Sequence, residues 1–178
     1  MILKTFLEIL MIVCGVVTLI GAIMGVREWF LIRRLSKLNL SQLPVKKKIY
    51  CQMVLDWCHD NIAYPKTPKP TLQVNYYPHK RWSGVYYSSN HLCVIYVNNH
   101  DTIKALTNSV IHEYVHARQR NKNFDKMYEK YQRDFGYELN LFEVEARMVA
   151  KKYEKLCLIG VLFILQSKNT RRNKFQEY

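Results

Sequence analysis

The feature that most constrains what this 178-residue chain can fold into is a pair of histidines and a glutamate set in an apolar helical stretch. The segment His112-Glu113-Tyr114-Val115-His116 is flanked by Val110, Ile111 and Ala117. Leu106, Val110, Tyr114 and Ala117 recur at helical spacing and predict a core-facing stripe. Burying two imidazoles and a carboxylate on such a helix is costly unless something satisfies them. The spacing suggests what does. Residues four apart project from one helix face, so His112 and His116 can both reach a single metal ion. Glu113 is offset by about 100° of helical rotation, beside the ion without ligating it, where it can take a proton from water. The H-E-x-x-H pattern on a helix therefore points to zinc. The plainer alternative is a hydrogen-bonded network without metal.

A catalytic zinc site ordinarily takes three protein ligands and keeps one position open. The segment 140–150 offers two further carboxylates, Glu143 and Glu145. Glu143, Ala146 and Ala150 share a helical face, and the two alanines let that helix come close to the metal helix. Glu143 is therefore the expected third ligand. Glu145 is the reserve candidate, its other role being a salt bridge with Lys152 or Arg147. Gln119 lies on the ligand face of the first helix and can orient His116, or can be a surface side chain. An oxyanion-stabilising group could be Tyr131, Tyr137, Tyr153 or His100, and the sequence does not choose.

Around this centre the pattern predicts an α+β domain. Residues 40–44 read as a linker. Residues 45–63 are expected as a helix with Ile49, Met53 and Trp57 on one face. Pro65, Pro68 and Pro70 end it. Runs at 71–77, 84–88 and 91–98 are rich in Val, Ile and Tyr and read as a small antiparallel sheet, the last two joined at Ser88-Ser89-Asn90. Asp101 is expected to cap the metal helix, which runs to about 121. A second helix covers about 125–135 until Gly136 breaks it, and Asn140 caps a third over about 141–155.

Residues 9–26 hold 18 residues without a charge, enough for about 27 Å of helix, close to the hydrocarbon thickness of a bilayer. A retained transmembrane helix is expected over a signal peptide, because the core is long and little positive charge precedes it. The following Arg27, Arg33, Arg34, Lys37 and Lys46-Lys47-Lys48 place the domain on the cytoplasmic side. The Asn39-Leu40-Ser41 sequon argues only weakly for the other face. The expected organisation is an anchor with basic flank over 1–36, a domain over 37–166 and a basic tail over 167–178. The apolar run 156–165 is too short to span a bilayer and is expected in the core. The net charge of +13 favours anionic lipid head groups as partners; no nucleic-acid motif is present. Five cysteines without a Cys-x-x-Cys pair read as reduced thiols.

With His112, Glu113, His116 and a glutamate on a following helix, the chain resembles the gluzincin clan of zinc metallopeptidases. Glu143-Val144-Glu145-Ala146 is similar to the Glu-x-x-Ala pattern in which the first glutamate is the ligand. Arg118 and Arg147 depart from the patterns of that clan. The resemblance covers about 71–155. It implies a zincin-like domain (helix, small sheet, metal helix, glutamate helix) and zinc-dependent hydrolysis of a peptide or protein substrate, with Glu113 as general base. It also implies that 91–98 is the edge strand along which substrate lies. The alternatives are a non-cleaving metal-binding sensor or scaffold, and a membrane-anchored interaction module without metal.

Overall fold

The computed structural model describes residues 39–43 and 45–174 with side chains to 165, together with single positions between 18 and 33. The chain divides into two units, Met1–Leu35 and Ser36–Tyr178. The transmembrane helix expected over 9–26 lies outside the continuously described residues. Among the described residues no helix is long and apolar enough to cross a membrane.

The second unit is α+β. In chain order it contains α1 (Lys47–Ile62), β1 (Thr71–Asn75), β2 (Gly84–Tyr87), β3 (Leu92–Tyr96), α2 (Ile103–Gln119), α3 (Phe124–Leu139) and α4 (Leu141–Lys174). α2 is the central element. Leu106, Val110, Tyr114 and Ala117 are all buried on it, as the stripe predicts, and Ile103, Ile111 and Val115 extend its buried surface. A helix that is apolar on most of its circumference has to be enclosed. Here α1, α4 and the sheet enclose it.

Several local expectations give way to packing. α1 forms where expected, but its buried face is Tyr50, Val54, Leu55, Cys58 and Ile62, whereas Ile49 is half exposed. Tyr50 sets that face. Its fully buried hydroxyl donates to Thr107 Oγ1 on α2 at 2.6 Å, and Thr107 in turn donates to the Ile103 carbonyl. The cap of α2 is Thr102, whose Oγ1 accepts from Ala105 N at 3.1 Å, and not Asp101. Residues 40–43 are not a plain linker: Leu40–Gln42 form a 3-10 turn with Leu40 buried, and Asn39 bridges to Thr102.

The sheet is mixed, a correction to the antiparallel expectation. Its order is β1-β3-β2, with β2 antiparallel and β1 parallel to β3. The physical cause is the connection 76–83, which crosses the end of β3 from one edge to the other. Asn99 Oδ1 accepts from His79 N at 3.0 Å, and Asn99 Nδ2 donates to the carbonyls of His79 and Trp82. His79 stacks on Trp82 at 4.8 Å and packs against Tyr96. Pinned across the strand end, the chain re-enters on the far side of β3. Strand β3 is therefore central, with Cys93, Val94 and Ile95 consecutively buried, as a strand covered on both faces requires. It is not the edge strand that the resemblance implies. The edges are β1 and β2.

Gly136 breaks α3 as expected, at φ 73° and ψ 175°, a conformation that costs a residue with a Cβ. α4 runs well beyond 155. Its apolar stretch buries Cys157, Leu158, Val161 and Leu165 at helical spacing and exposes Leu156 and Phe163. The core expectation for 156–165 therefore holds on one face. Gly160 lets α4 approach α1, since a Cβ there would stand 2.7 Å from Trp57 Nε1. Cys51, Cys58, Cys93 and Cys157 are free and buried. Burial raises the thiols of Cys58 and Cys93 well above their ordinary range and that of Cys51 to about 12, so these three stay neutral.

Candidate metal centre

α2 and α4 bring His112, His116 and Glu143 together, their donor atoms lying within 4.8 Å of one another. The contact between the two helices is close because Ala146 and Ala150 are fully buried on the α4 face that carries Glu143. His112 Nε2 stands 3.1 Å from His116 Nε2 and 3.1 Å from Glu143 Oε2, and His116 Nε2 is 3.3 Å from Glu143 Oε1. Four-coordinate zinc with bonds of about 2.0–2.1 Å sets neighbouring donors roughly 3.3 Å apart. The three separations observed are close to that value, with each histidine facing a different oxygen of Glu143. Glu143 is 3% exposed, and its Oε2 is buried without a hydrogen bond among the described residues. A buried, incompletely paired carboxylate facing two imidazole nitrogens is a donor set that suits a cation. The site could hold a metal ion.

The electrostatics agree. Burial would raise the Glu143 carboxyl, but the facing imidazoles of His112 and His116 and the hydrogen bond from Tyr128 hold it well below its ordinary range. Burial would lower His116, yet Glu143 and Glu113 carry it above the ordinary histidine value. The centre thus draws positive charge to the point where the three donors meet. Glu113, 6% exposed, is raised chiefly by burial. It does not ligate with the triad but borders the same cavity. β2 presses directly on it: a Cβ at Gly84 would stand 2.7 Å from Glu113 Cγ and 2.8 Å from Oε1.

The support around the three donor residues is explicit. Gln119 Nε2 donates to the Phe142 carbonyl at 3.0 Å and to Glu145 Oε2 at 2.9 Å. Those two acceptors leave its Oε1 facing His116 Nδ1 at 2.8 Å. Nδ1 must then carry the proton, which frees the Nε2 lone pair for a metal. Gln119 is therefore the orienting residue and not a surface side chain. Glu145 is excluded from the centre by this arrangement. It pairs with Arg118 Nη2 at 2.5 Å, rather than with Lys152 or Arg147. Arg118, out of place in a zincin pattern, thus anchors the Gln119 support and lies over the Tyr64 ring.

Of the four oxyanion candidates only Tyr137 lines the cavity. Tyr131 packs on Phe135 and Phe142, Tyr153 on Trp57, and His100 is tied to Tyr96 O and Ser109 Oγ. Sequence reasoning missed Tyr128, which donates to Glu143 Oε1 at 2.5 Å and also lines the cavity. The available signal was the aromatic series Phe124, Tyr128, Tyr131 and Phe135, spaced four, three and four on one helix. The cavity holds about 470 Å³ and is bounded by α2, α3, β2 and the start of α4.

Fold and site together define an α+β domain with a two-histidine, one-glutamate centre able to hold a metal. Among known proteins no family model, no curated protein and no solved structure matches the chain.

Proposed function

We propose that the chain is a zincin-like, gluzincin-type metallopeptidase that hydrolyses peptide bonds with zinc at His112, His116 and Glu143. The observation that carries this reading is Glu113: a buried carboxylate adjoining the three donors, held in place by Gly84 and open to the same cavity. A sensor or scaffold would have no use for a base there. Zinc, when bound, supplies a Lewis acid that acidifies water and polarises a carbonyl. The chain's own residues do the rest. Glu113, raised by burial, accepts the proton of the attacking water and returns it to the leaving amine. Tyr128 and Gln119 hold Glu143 and His116 in position, and Tyr137, which lines the cavity, donates to developing negative charge. The edge strand β2 gives an extended peptide unpaired backbone groups beside the cavity.

The same reading tethers the domain to a membrane through residues 9–26, on the cytoplasmic side, with substrates close to the bilayer and anionic head groups near the basic flank. Lys47 of that flank is engaged with Asn98 Oδ1 at 2.9 Å, which leaves Lys46 and Lys48 for such contacts.

The test is zinc content and peptide hydrolysis in parallel. About one zinc per chain is expected, lost in His116→Ala. Glu113→Gln is expected to keep zinc and lose hydrolysis by roughly a hundredfold or more. Undiminished turnover in Glu113→Gln would overturn the scheme.

A further inference from the structure

Charge is sorted on α3. Asp125, Glu129 and Gln132 face the cavity, whereas Lys126, Lys130 and Arg133, one register step away, do not line it. In a chain of net charge +13, the cavity wall carries Glu113, Asp125, Glu129 and Glu143 and, among the described residues, not one lysine or arginine. Glu143 and Glu113 are taken up by the metal centre and the base. Asp125 and Glu129 are exposed on the wall outside them. Asp125 accepts one hydrogen bond, from Ser88 Oγ at 2.5 Å. Glu129 forms no ion pair among the described residues. Aromatic rings of Trp82, Tyr86, Phe124 and Tyr128 line the same cavity. Glu143, whose buried Oε2 faces His112 Nε2 and has no hydrogen bond among the described residues, lines the same cavity.

Rings and carboxylates together suit a long cationic side chain. The rings take its apolar stem and attract its charge through their faces, and the carboxylates pair its head group. We infer that the cavity selects peptides carrying arginine or lysine beside the scissile bond, with Asp125 and Glu129 as the specificity-determining residues. This rests on the peptidase reading for the scissile bond, but the binding preference stands on the cavity wall alone. The selection runs against the charge of the molecule as a whole, which repels cationic peptides at long range. It therefore belongs to the cavity and acts at contact range rather than through long-range attraction.

The experiment uses the full chain as the Glu113→Gln variant, incubated with zinc. Its ligands are four labelled peptides identical except for one position: arginine, lysine, norleucine or glutamate. Binding is read by fluorescence anisotropy. Arginine and lysine peptides should bind roughly tenfold tighter than norleucine, and glutamate weakest. The preference should collapse in Glu129→Gln combined with Asp125→Asn, both exposed and close in shape, and persist in Lys126→Gln combined with Lys130→Gln. Equal affinity for arginine and norleucine, or a preference unchanged in Glu129→Gln with Asp125→Asn, overturns the inference. Hydrolysis of the same peptides by the parent chain separates the two proposals. Cleavage without basic preference overturns the selectivity and keeps the peptidase. Basic preference in binding with no cleavage of any peptide keeps the selectivity and overturns the peptidase.

Discussion

At the scale of the residue, the centre depends on a few contacts with little slack. Gly84 is one. Adding a methyl there forces either β2 or the Glu113 side chain to move, since the clash falls on the carboxylate itself. Gly84→Ala should therefore leave zinc binding intact while peptide hydrolysis falls roughly tenfold or more, read as kcat at constant metal content. Gln119 is another. Gln119→Leu removes the acceptor for His116 Nδ1–H and the donor to Glu145. Zinc affinity should drop about ten- to a hundredfold, measured by competition with a chelating dye. A third site concerns pH. Burial lowers the His100 pKa, with Lys47 assisting and Asp101 and two backbone hydrogen bonds opposing. The Tyr96 carbonyl can only accept, so Nδ1 donates to it and Nε2 accepts from Ser109 Oγ, an arrangement that requires the neutral ring. A histidine whose folded pKa is depressed binds fewer protons folded than unfolded. Its contribution is complete above the unfolded value of about 6.5 and is lost as pH falls below it. Urea unfolding across pH 5 to 8 should show this decline, and His100→Gln should flatten it.

At the scale of the element, the pairing of α2 with α4 makes the centre. Ala146 and Ala150 are the small residues that let Glu143 reach the histidines. Ala146→Leu should cost about 1–3 kcal/mol by overpacking and also abolish zinc binding, because the helices are wedged apart where the ligands meet. Loss of stability with full zinc occupancy would show that α4 can tilt without moving Glu143. Much of this pairing was readable in the sequence: the spacing of Glu143, Ala146 and Ala150 on one face gave the partner helix and the carboxylate that meets the histidines. The face of α1 was not readable. Ile49, Met53 and Trp57 repeat at four, but Tyr50, with its hydroxyl bonded to Thr107, rotates the helix so that the Val54 and Cys58 side is buried. Periodicity counts apolar residues and does not see a buried hydroxyl's partner. Likewise the strand runs were legible, but not the parallel pairing, which Asn98 and Asn99 impose by fastening the crossing connection.

At the scale of the whole molecule, a metal at the junction of α2 and α4 would bind the folded state and not the unfolded one. At zinc a hundredfold above its Kd the gain is about 2.7 kcal/mol. The Tm of the parent chain should rise by roughly 5–10 °C over the chelated form. His112→Ala should show no such rise. An equal shift in both would place the zinc elsewhere.

What the sequence determined by itself was the residue set of the candidate centre. His112, Glu113 and His116 have their mutual geometry from the helix repeat alone, and Glu143 joined them because two alanines marked the face of close approach. Tertiary structure decided everything that depends on distance across elements: Tyr128 on Glu143, Gln119 and Arg118 holding His116 through Glu145, and Gly84 against Glu113. It also decided that β2 and not β3 borders the cavity. The physical reason is one of range. A helix fixes the direction of side chains within a few residues, whereas which chain segment arrives opposite them is set by burial and by hydrogen bonds between residues far apart in sequence.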